Sequence, residues 1–160
     1  MTRGDILLRL MQWPQALASY DAALALAPDF AEAWNNRGVA LKNMARLEAS
    51  LESHERALAI RQYYAEAWTN RGVVLRQLNR PAEALASYDR ALAAAPGDGS
   101  TLANRGAVLK DLGRFDEALD SYDRALAARP RSAETWNNRG NLLRDLRRFD
   151  DALASYDKAL

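Results

Sequence analysis

The chain has 160 residues, of which 27% are charged, and its 22 basic and 21 acidic side chains leave a formal net charge of +1. This balance argues against a polyelectrolyte partner, and we predict that the protein binds no nucleic acid. The chain has no cysteine, which excludes disulfides and thiolate metal sites. No apolar run approaches the length of a membrane span, and the first residues lack the pattern of a secretion signal, so we predict a cytoplasmic protein without membrane contact.

A glycine recurs along the chain at one fixed interval. Gly4, Gly38, Gly72, Gly106 and Gly140 follow one another at steps of 34 residues (38 − 4, and so on). A period of this length indicates one helical hairpin copied along the chain. We therefore predict a single array in residues 1–160. It comprises a partial repeat (1–30), three complete repeats (31–64, 65–98 and 99–132) and a second partial repeat (133–160).

The first half of each repeat predicts an amphipathic helix, which we call helix A. Positions are counted from seven residues before the glycine, so that the glycine is at position eight. Apolar residues at positions four, eight, ten, eleven and fourteen follow the three-to-four spacing of one buried helix face. Glycine costs roughly 1 kcal/mol of helix propensity relative to alanine. Its recurrence predicts that a neighbouring side chain, the tyrosine at position twenty-four, fills the space beside it.

The second half of each repeat predicts a second helix, helix B, antiparallel to helix A. Its apolar stripe includes positions twenty-one, twenty-four and twenty-eight, which are Leu85, Tyr88 and Leu92 in the repeat 65–98. Proline at position thirty-two ends helix B because proline lacks an amide donor. These prolines are Pro28, Pro96 and Pro130, and the residues predicted to cap the next helix A are Asp29, Asp98 and Ser132.

These positions resemble the tetratricopeptide repeat, whose pattern runs Trp-x-x-Leu-Gly-x-x-Tyr and then Ala, an aromatic residue, Ala and Pro. The resemblance implies an all-α fold, a right-handed superhelical solenoid of antiparallel helix hairpins. Two departures recur: arginine replaces the usual leucine at position seven, and leucine replaces tyrosine at position eleven. The copy at 31–64 matches the pattern least well, with Ser50, His54 and Gln62 in place of alanine, tyrosine and proline.

No constellation of residues in the sequence suggests catalysis. His54 is the only histidine, and because it occupies a position that holds tyrosine in the other repeats, we predict a packed core histidine. The glycines stand singly inside helices and form no phosphate-binding loop. The carboxylates of helix B recur in every copy, as residues of a solvated helix face do. We therefore predict that the protein is not an enzyme and has no catalytic residue, metal or cofactor.

Helix A carries asparagine at position six, which faces the concave groove in tetratricopeptide repeats. The residues are Asn36, Asn70, Asn104 and Asn138. An amide offers both a donor and an acceptor, so this row can bind the backbone of an extended peptide without recognising its sequence. It resembles the asparagine ladder of the O-linked N-acetylglucosamine transferase repeats, which holds substrate peptide. The alternative is that the amides bond to adjacent repeats or to water.

Position twelve of helix A, also on the groove side in the family, is basic in four copies. The residues are Lys42, Arg76, Lys110 and Arg144. Cations one repeat apart attract an acidic or phosphorylated ligand, so we predict that these residues take part in peptide binding. Glu32, Glu66 and Glu134 at position two make the groove mixed in charge. The alternative for any single basic residue is a solvated surface side chain.

Position seven carries an arginine in every copy, on the side of helix A that packs against other helices. The arginines are Arg3, Arg37, Arg71, Arg105 and Arg139. A charge that is partly buried needs a partner, and position twenty-five supplies a carboxylate in each repeat. These carboxylates are Asp21, Glu55, Asp89, Asp123 and Asp157. We predict a repeated arginine–carboxylate pair with a structural role, the arginine stem packing on apolar neighbours.

The sequence thus predicts a non-catalytic scaffold that binds an extended or helical segment of another protein in its groove. One alternative is the substrate-recognition arm of a larger enzyme, such as a glycosyltransferase. A second alternative is a self-assembling module, because solenoid ends need polar caps and both ends here are apolar. The apolar residues are Leu153, Tyr156 and Leu160 at one end and Ile6, Leu7 and Leu10 at the other. They predict either end-to-end association into homo-oligomers or a native protein that continues with more repeats.

Overall fold

The computed structural model of the protein describes residues 2–160, and every regular element in that range is an α-helix. The helices are α1 (Arg3–Arg9), α2 (Trp13–Leu26), α3 (Ala31–Asn43), α4 (Leu47–Ile60), α5 (Ala65–Gln77), α6 (Pro81–Ala94), α7 (Gly99–Asp111), α8 (Phe115–Ala128), α9 (Ala133–Asp145) and α10 (Phe149–Ala159). Odd-numbered helices are the predicted A helices and even-numbered helices the predicted B helices. The all-α prediction is confirmed. Within residues 2–160, no helix is both long enough and apolar enough to cross a membrane.

The chain divides between Arg80 and Pro81 into two compact units. In the first unit, α1 to α5 pack each on the next, and α3 also packs on α1 and on α5. In the second unit, α6 to α10 pack each on the next, and α7 also packs on α9. Within each unit, therefore, successive A helices lie side by side and bring their equivalent positions onto a shared surface.

The glycine of helix A receives the aromatic ring of helix B, as the sequence predicted. A Cβ atom added to Gly106 would lie 2.8 Å from Cε1 of Tyr122, closer than carbon atoms can approach. A Cβ atom added to the other glycines would lie equally close to a ring atom: 2.7 Å from Tyr20 at Gly4, 2.6 Å from Tyr156 at Gly140 and 2.6 Å from His54 at Gly38. The glycine therefore lets the two helices of a hairpin approach with a ring between them.

The turn from helix A to helix B repeats one backbone conformation that the sequence did not reveal. The residue at position fifteen is left-handed in all five copies, with φ between 56° and 73°: Met11, Ala45, Asn79, Gly113 and Arg147. The next residue donates its N–H to the carbonyl of the position-eleven leucine, as Arg46 does to Leu41 at 2.9 Å. This turn ends helix A and gives a hydrogen-bond partner to two carbonyl groups that would otherwise have none. Only one of the five residues is glycine, so the usual sequence signal is missing.

The turn from helix B to the next helix A follows the predicted boundaries. Helix α4 ends at Ile60, at the same repeat position as the ends of α2, α6 and α8, although Gln62 replaces the proline that follows two residues later in those repeats. Asp98 caps α7 by accepting from two backbone N–H groups, and Ser132 caps α9. The prediction for Asp29 is wrong, because Phe30 occupies the N-cap of α3 and leaves Asp29 one residue too early.

Candidate functional site

The asparagines at position six lie partly exposed on four successive A helices. Asn36 donates its Nδ2 to Oδ1 of Asp5 at 3.0 Å, and Asn70 donates its Nδ2 to Oδ1 of Asn35 at 3.0 Å. The side chains of Asn104 and Asn138 make no hydrogen bond to another group among residues 2–160. The first two amides therefore bond to the preceding A helix through their nitrogen, while the other two keep their polar atoms open to solvent.

A buried polar cluster centred on Asn35 joins α3, α4 and α5. Asn35 is fully buried, and its Oδ1 accepts both from Asn70 and from Nδ1 of His54, the latter at 3.1 Å. Its Nδ2 lies 3.2 Å from Oε1 of Glu66 and 3.5 Å from the hydroxyl of Tyr64. Burial raises the pKa of Tyr64 to about 12, so its phenol stays protonated. Every polar atom of the Asn35 amide is thereby satisfied.

His54 is a core residue, as predicted, and it is neutral. Burial lowers its pKa to about 3, with the positive charges of Lys42 and Arg71 acting in the same direction. The hydrogen bond to Asn35 places the proton on Nδ1. The other nitrogen, Nε2, lies against Gly38 and has no hydrogen-bond partner among residues 2–160. An unprotonated imidazole nitrogen tolerates this apolar site, whereas an imidazolium would not.

A small cleft opens between α1, α2 and α3, lined in part by Thr2, Asp5, Tyr20, Glu32 and Asn36. Oδ1 of Asp5 accepts from the hydroxyl of Tyr20 at 2.9 Å and from Asn36, and Oδ2 accepts from the backbone N–H of Thr2 at 2.6 Å. Burial by itself would raise the pKa of Asp5, but these hydrogen bonds lower it overall. Asp5 is therefore an ionised anchor for the first asparagine of the ladder.

The basic residues at position twelve have different surroundings. Lys110 forms an ion pair with Asp145 of the next A helix, its Nζ lying 2.7 Å from Oδ2, and Arg144 contacts the same carboxylate at 3.0 Å. The hydrogen bonds from Lys110 and Arg144 lower the pKa of Asp145. Lys42 makes no ion pair within residues 2–160, and Arg76 is exposed near the end of α5. Among the basic residues at position twelve, the charges of Lys110 and Arg144 are therefore partly neutralised by Asp145, whereas the charge of Lys42 is not.

Four of the five arginines at position seven form the predicted pairs, which connect neighbouring hairpins, whereas Arg3 forms no ion pair within residues 2–160. Nε of Arg37 lies 2.7 Å from Oδ1 of Asp21 on the preceding helix B, and its Nη1 donates to Oγ of Ser53 on its own helix B at 2.8 Å. The other pairs are Arg71 with Glu55 at 3.0 Å, Arg105 with Asp89 at 2.8 Å and Arg139 with Asp123 at 2.6 Å. Arg105 and Arg139 also donate to Ser121 and Ser155. The paired arginines at position seven thus join neighbouring hairpins and do not form an exposed binding surface.

Three of these arginines also lie over the tryptophan at position four of the same helix. The guanidinium carbon of Arg37 is 5.5 Å from the ring centroid of Trp34. The same distance is 5.8 Å between Arg71 and Trp68 and 5.9 Å between Arg139 and Trp136. These distances are typical of cation–π contacts. They confirm that the arginine side chain packs on apolar neighbours while its charge is paired.

Replacing Arg105 with alanine is expected to lower the free energy of unfolding by about 1–2 kcal/mol, measured by chemical denaturation. The change removes the hydrogen bond to Ser121 and the pair with half-exposed Asp89, and exposes neighbouring apolar surface. Arg124→Ala on α8 removes an equally long but exposed side chain, and should change the stability by less than about 0.5 kcal/mol. Equal effects of the two substitutions would show that the joint adds no stability.

The stacked hairpins and their period define a helical repeat protein, and comparison with known families specifies which one. Tetratricopeptide repeat models match residues 29–97 and 63–131, and others match 104–160 and 4–44. Because one of these models alone matches more than half of the residues, the chain belongs to the tetratricopeptide repeat family.

Solved structures of other tetratricopeptide repeat proteins are similar over nearly the whole chain. MamA from Desulfovibrio magneticus RS-1, beginning at its residue 41, has a TM-score of 0.88 and 18% identity, covering 98% of this chain and 88% of that one. YrrB, a protein with an unusual peptide-binding site, has a TM-score of 0.79 and 26% identity, covering 98% and 80%. PilW, a type IV pilus biogenesis factor, has a TM-score of 0.91 and 29% identity, covering 98% and 72%. No curated protein matches the chain in sequence.

Proposed function

We propose that the protein is a non-catalytic interaction scaffold, and that it binds an extended peptide along the groove side of its A helices. The observation that carries this proposal is the asparagine at position six, which remains partly exposed on α3, α5, α7 and α9. Because A helices lie side by side within each unit, Asn36 and Asn70 share one surface, and Asn104 and Asn138 share another. Each pair can bond to successive stretches of peptide backbone.

The hydrogen bonds already present decide which atoms of the ladder a peptide meets in the first unit. The Nδ2 of Asn70 donates to Asn35, which leaves the Oδ1 of Asn70 as the atom that can accept from a peptide N–H. In the second unit, Asn104 and Asn138 can rotate to offer either group. The buried cluster around Asn35 thus holds one amide in place before the ligand arrives, which lowers the entropy lost on binding.

The charges along the same surface favour a peptide that carries acidic side chains near Lys42. That lysine has no ion pair within residues 2–160, so a ligand carboxylate would not have to displace an existing partner. Lys110 already contacts Asp145, and a ligand there would compete with it. YrrB, a relative by fold, is described as having a peptide-binding site, which supports the same class of ligand for this chain.

A peptide-display selection against the parent chain tests the proposal. We expect enriched peptides to lose at least about a hundredfold in affinity on a variant with Asn36, Asn70, Asn104 and Asn138 all changed to alanine, since each lost hydrogen bond contributes about 1 kcal/mol. Among the enriched sequences, acidic peptides should lose further affinity on Lys42→Ala. Binding is measured by titration calorimetry with synthetic peptides.

The matched control replaces three exposed amides outside the A helices with alanine: Gln12, Gln15 and Gln62. This variant should bind the selected peptides as the parent does. Circular dichroism must show that both variants remain helical, because Asn70 bonds to buried Asn35. If the folded quadruple variant binds the selected peptides as tightly as the parent does, or if the parent enriches no peptide, the proposed function of the groove is wrong.

A further inference from the structure

Two A helices of the first unit, α3 and α5, each present an amide, an apolar side chain and a cation in a row. The three side chains follow one another at three-residue intervals, and residues three apart project from neighbouring positions on one side of a helix. The residues are Asn36, Val39 and Lys42 on α3, and Asn70, Val73 and Arg76 on α5. Both valines are half-buried, so part of each remains open to a ligand.

Hydrogen bonds fix which atom each of the two asparagines presents. The carboxylate of Glu66 only accepts, so Nδ2 of Asn35 faces it and Oδ1 of Asn35 accepts from Asn70. The ionised carboxylate of Asp5 likewise accepts from Nδ2 of Asn36. Turning either amide over would place two acceptor oxygens against each other, so Oδ1 is the accepting atom of both asparagines. In Asn36 it already receives a long hydrogen bond of 3.4 Å from Asn35, which leaves it one lone pair.

The spacing of these two acceptors matches one turn of a polyproline II helix. Packed helices lie about 8–10 Å apart, and α3 packs directly on α5. A polyproline II segment has three residues per turn and rises about 3.1 Å per residue, so the same side recurs after about 9 Å. A β-strand returns to the same side after about 6.6 Å or about 13 Å. N–H groups three residues apart in a polyproline II segment therefore fit the two asparagines together.

We propose that the first unit binds a proline-containing acidic segment of another protein in the polyproline II conformation. N–H groups three residues apart donate to Asn36 and Asn70, and proline rings between them pack on Val39 and Val73. A carboxylate of the segment pairs with Lys42, which has no ion pair within residues 2–160. Polyproline II has no internal hydrogen bonds, so its N–H groups are free to donate, and proline lowers the entropy lost on binding.

This inference rests on the proposed peptide function and adds the conformation and the chemical class of the ligand. The second unit differs at the same positions. In place of the valines it has Ala107 and polar Asn141, which offer less apolar surface. Lys110 there already pairs with Asp145. We therefore expect the segment to bind the first unit more tightly than the second.

Nuclear magnetic resonance titration of the isotope-labelled full chain with synthetic peptides tests the proposal. A first probe of about twelve residues repeats Glu-Pro-Pro, so that its N–H groups recur at every third residue. It should shift the side-chain amide signals of Asn36 and Asn70 at lower concentration than those of Asn104 and Asn138. A second probe of the same length repeats Glu-Pro, which never places two N–H groups three residues apart. It should bind at least about fivefold more weakly, since it can donate to only one asparagine.

A third probe is the Glu-Pro-Pro peptide with every glutamate N-methylated. It keeps the charge but has no backbone N–H to donate, and should bind at least about twentyfold more weakly than the first probe. On the protein, Asn70→Ala should weaken binding of the first probe about fivefold. Asn138→Ala is the matched control in the second unit and should leave the affinity unchanged. Circular dichroism checks that both variants remain helical.

Equal affinities for the Glu-Pro-Pro and Glu-Pro peptides overturn the inference. If Asn70→Ala still weakens both, the groove function stands and only the polyproline II spacing is wrong. A Glu-Pro-Pro peptide that does not bind, or that binds equally well when N-methylated, also overturns the inference. Neither result contradicts the groove function, because the display selection tests it with peptides of unrestricted sequence.

Discussion

Tyr122→Ala is expected to lower the free energy of unfolding by about 3–5 kcal/mol, the cost of removing a large aromatic side chain from a packed core. The ring of Tyr122 is 1% exposed and lies directly against Gly106. Its loss therefore leaves a cavity between α7 and α8. Chemical denaturation at neutral pH measures the change. Tyr63→Ala is the control, since that tyrosine is 82% exposed and its loss should cost less than about 0.5 kcal/mol.

The contact between Tyr122 and Gly106 also predicts that one substitution changes sign between two backgrounds. In the parent chain, Gly106→Ala places a methyl group 2.8–3.1 Å from three atoms of the Tyr122 ring, and because this ring is buried it must shift against packed neighbours. The strain of about 1–3 kcal/mol exceeds the gain in helix propensity of about 1 kcal/mol, so we expect a net loss of stability. In the Tyr122→Ala chain the methyl group fills free space, and the same change should stabilise by about 1 kcal/mol.

A double-mutant cycle of these two positions measures the coupling directly. Additive effects of the two substitutions would mean that the ring does not depend on the glycine. A stabilising Gly106→Ala in the parent would show that helix propensity alone governs the position.

Lowering the pH from 7 to 5 is expected to reduce the free energy of unfolding by about 2 kcal/mol through His54 alone. The unfolded chain binds a proton at His54 with an ordinary pKa of about 6.5, whereas burial holds the pKa in the folded chain at about 3. Between these two values only the unfolded state is protonated. Stability is therefore unaffected by His54 above pH 6.5, and falls as the pH drops below that value by about 1.4 kcal/mol per pH unit.

The assignment to His54 is testable because the chain has no other histidine, and ordinary carboxyl groups titrate mainly below pH 5. Denaturation curves at pH 7 and pH 5 are compared for the parent and for His54→Tyr, which restores the residue found at this position in the other repeats. The variant should be nearly independent of pH in this range. A parent whose stability is the same at both values would contradict the buried, neutral imidazole.

The hairpins could be predicted from the sequence because each depends on contacts that recur every 34 residues. Gly106 and Tyr122 belong to one hairpin, and the same two residue types recur at equal spacing in other copies. The arginine pairs were predicted for the same reason, since Arg139 and Asp123 repeat the spacing of Arg37 and Asp21. Because the pattern recurs in several repeats, it identifies the same helix end even in a repeat that departs from it, as at Gln62.

The cluster around Asn35 could not be predicted, because its combination of residues occurs in only one place. Position five is asparagine in Asn35 and in exposed Asn137, threonine in Thr69 and alanine in Ala103. Its partners His54 and Tyr64 lie 19 and 29 residues away in sequence. The replacement of tyrosine by His54 was the one visible sign, and it indicated burial without indicating the partner. The prediction of a cap at Asp29 was wrong because Asp29 lies one repeat position before Asp98 and Ser132, while α3 begins at the same repeat position as α7 and α9.

The asparagines at position six could be predicted only in part. The sequence placed Asn36 and Asn70 on one face of their helices, and the structure shows hydrogen bonds that the pattern could not specify, to Asp5 and Asn35. Side-chain hydrogen bonds between repeats depend on residues at several positions at once. Peptide binding by the ladder stays a prediction until a ligand is tested.

The joints between hairpins bear on how the chain could have grown. Arg37 with Asp21, Arg105 with Asp89 and Arg139 with Asp123 use the same residue types at the same spacing. Duplicating or deleting one such repeat by recombination would leave a matching arginine and aspartate at the new boundary, so the number of repeats can change without redesign. The joint after residues 31–64 differs, because Asn35 requires Tyr64, Glu66 and Asn70 around it. We expect variation in repeat number among related chains to occur elsewhere, and this one boundary to be inherited intact.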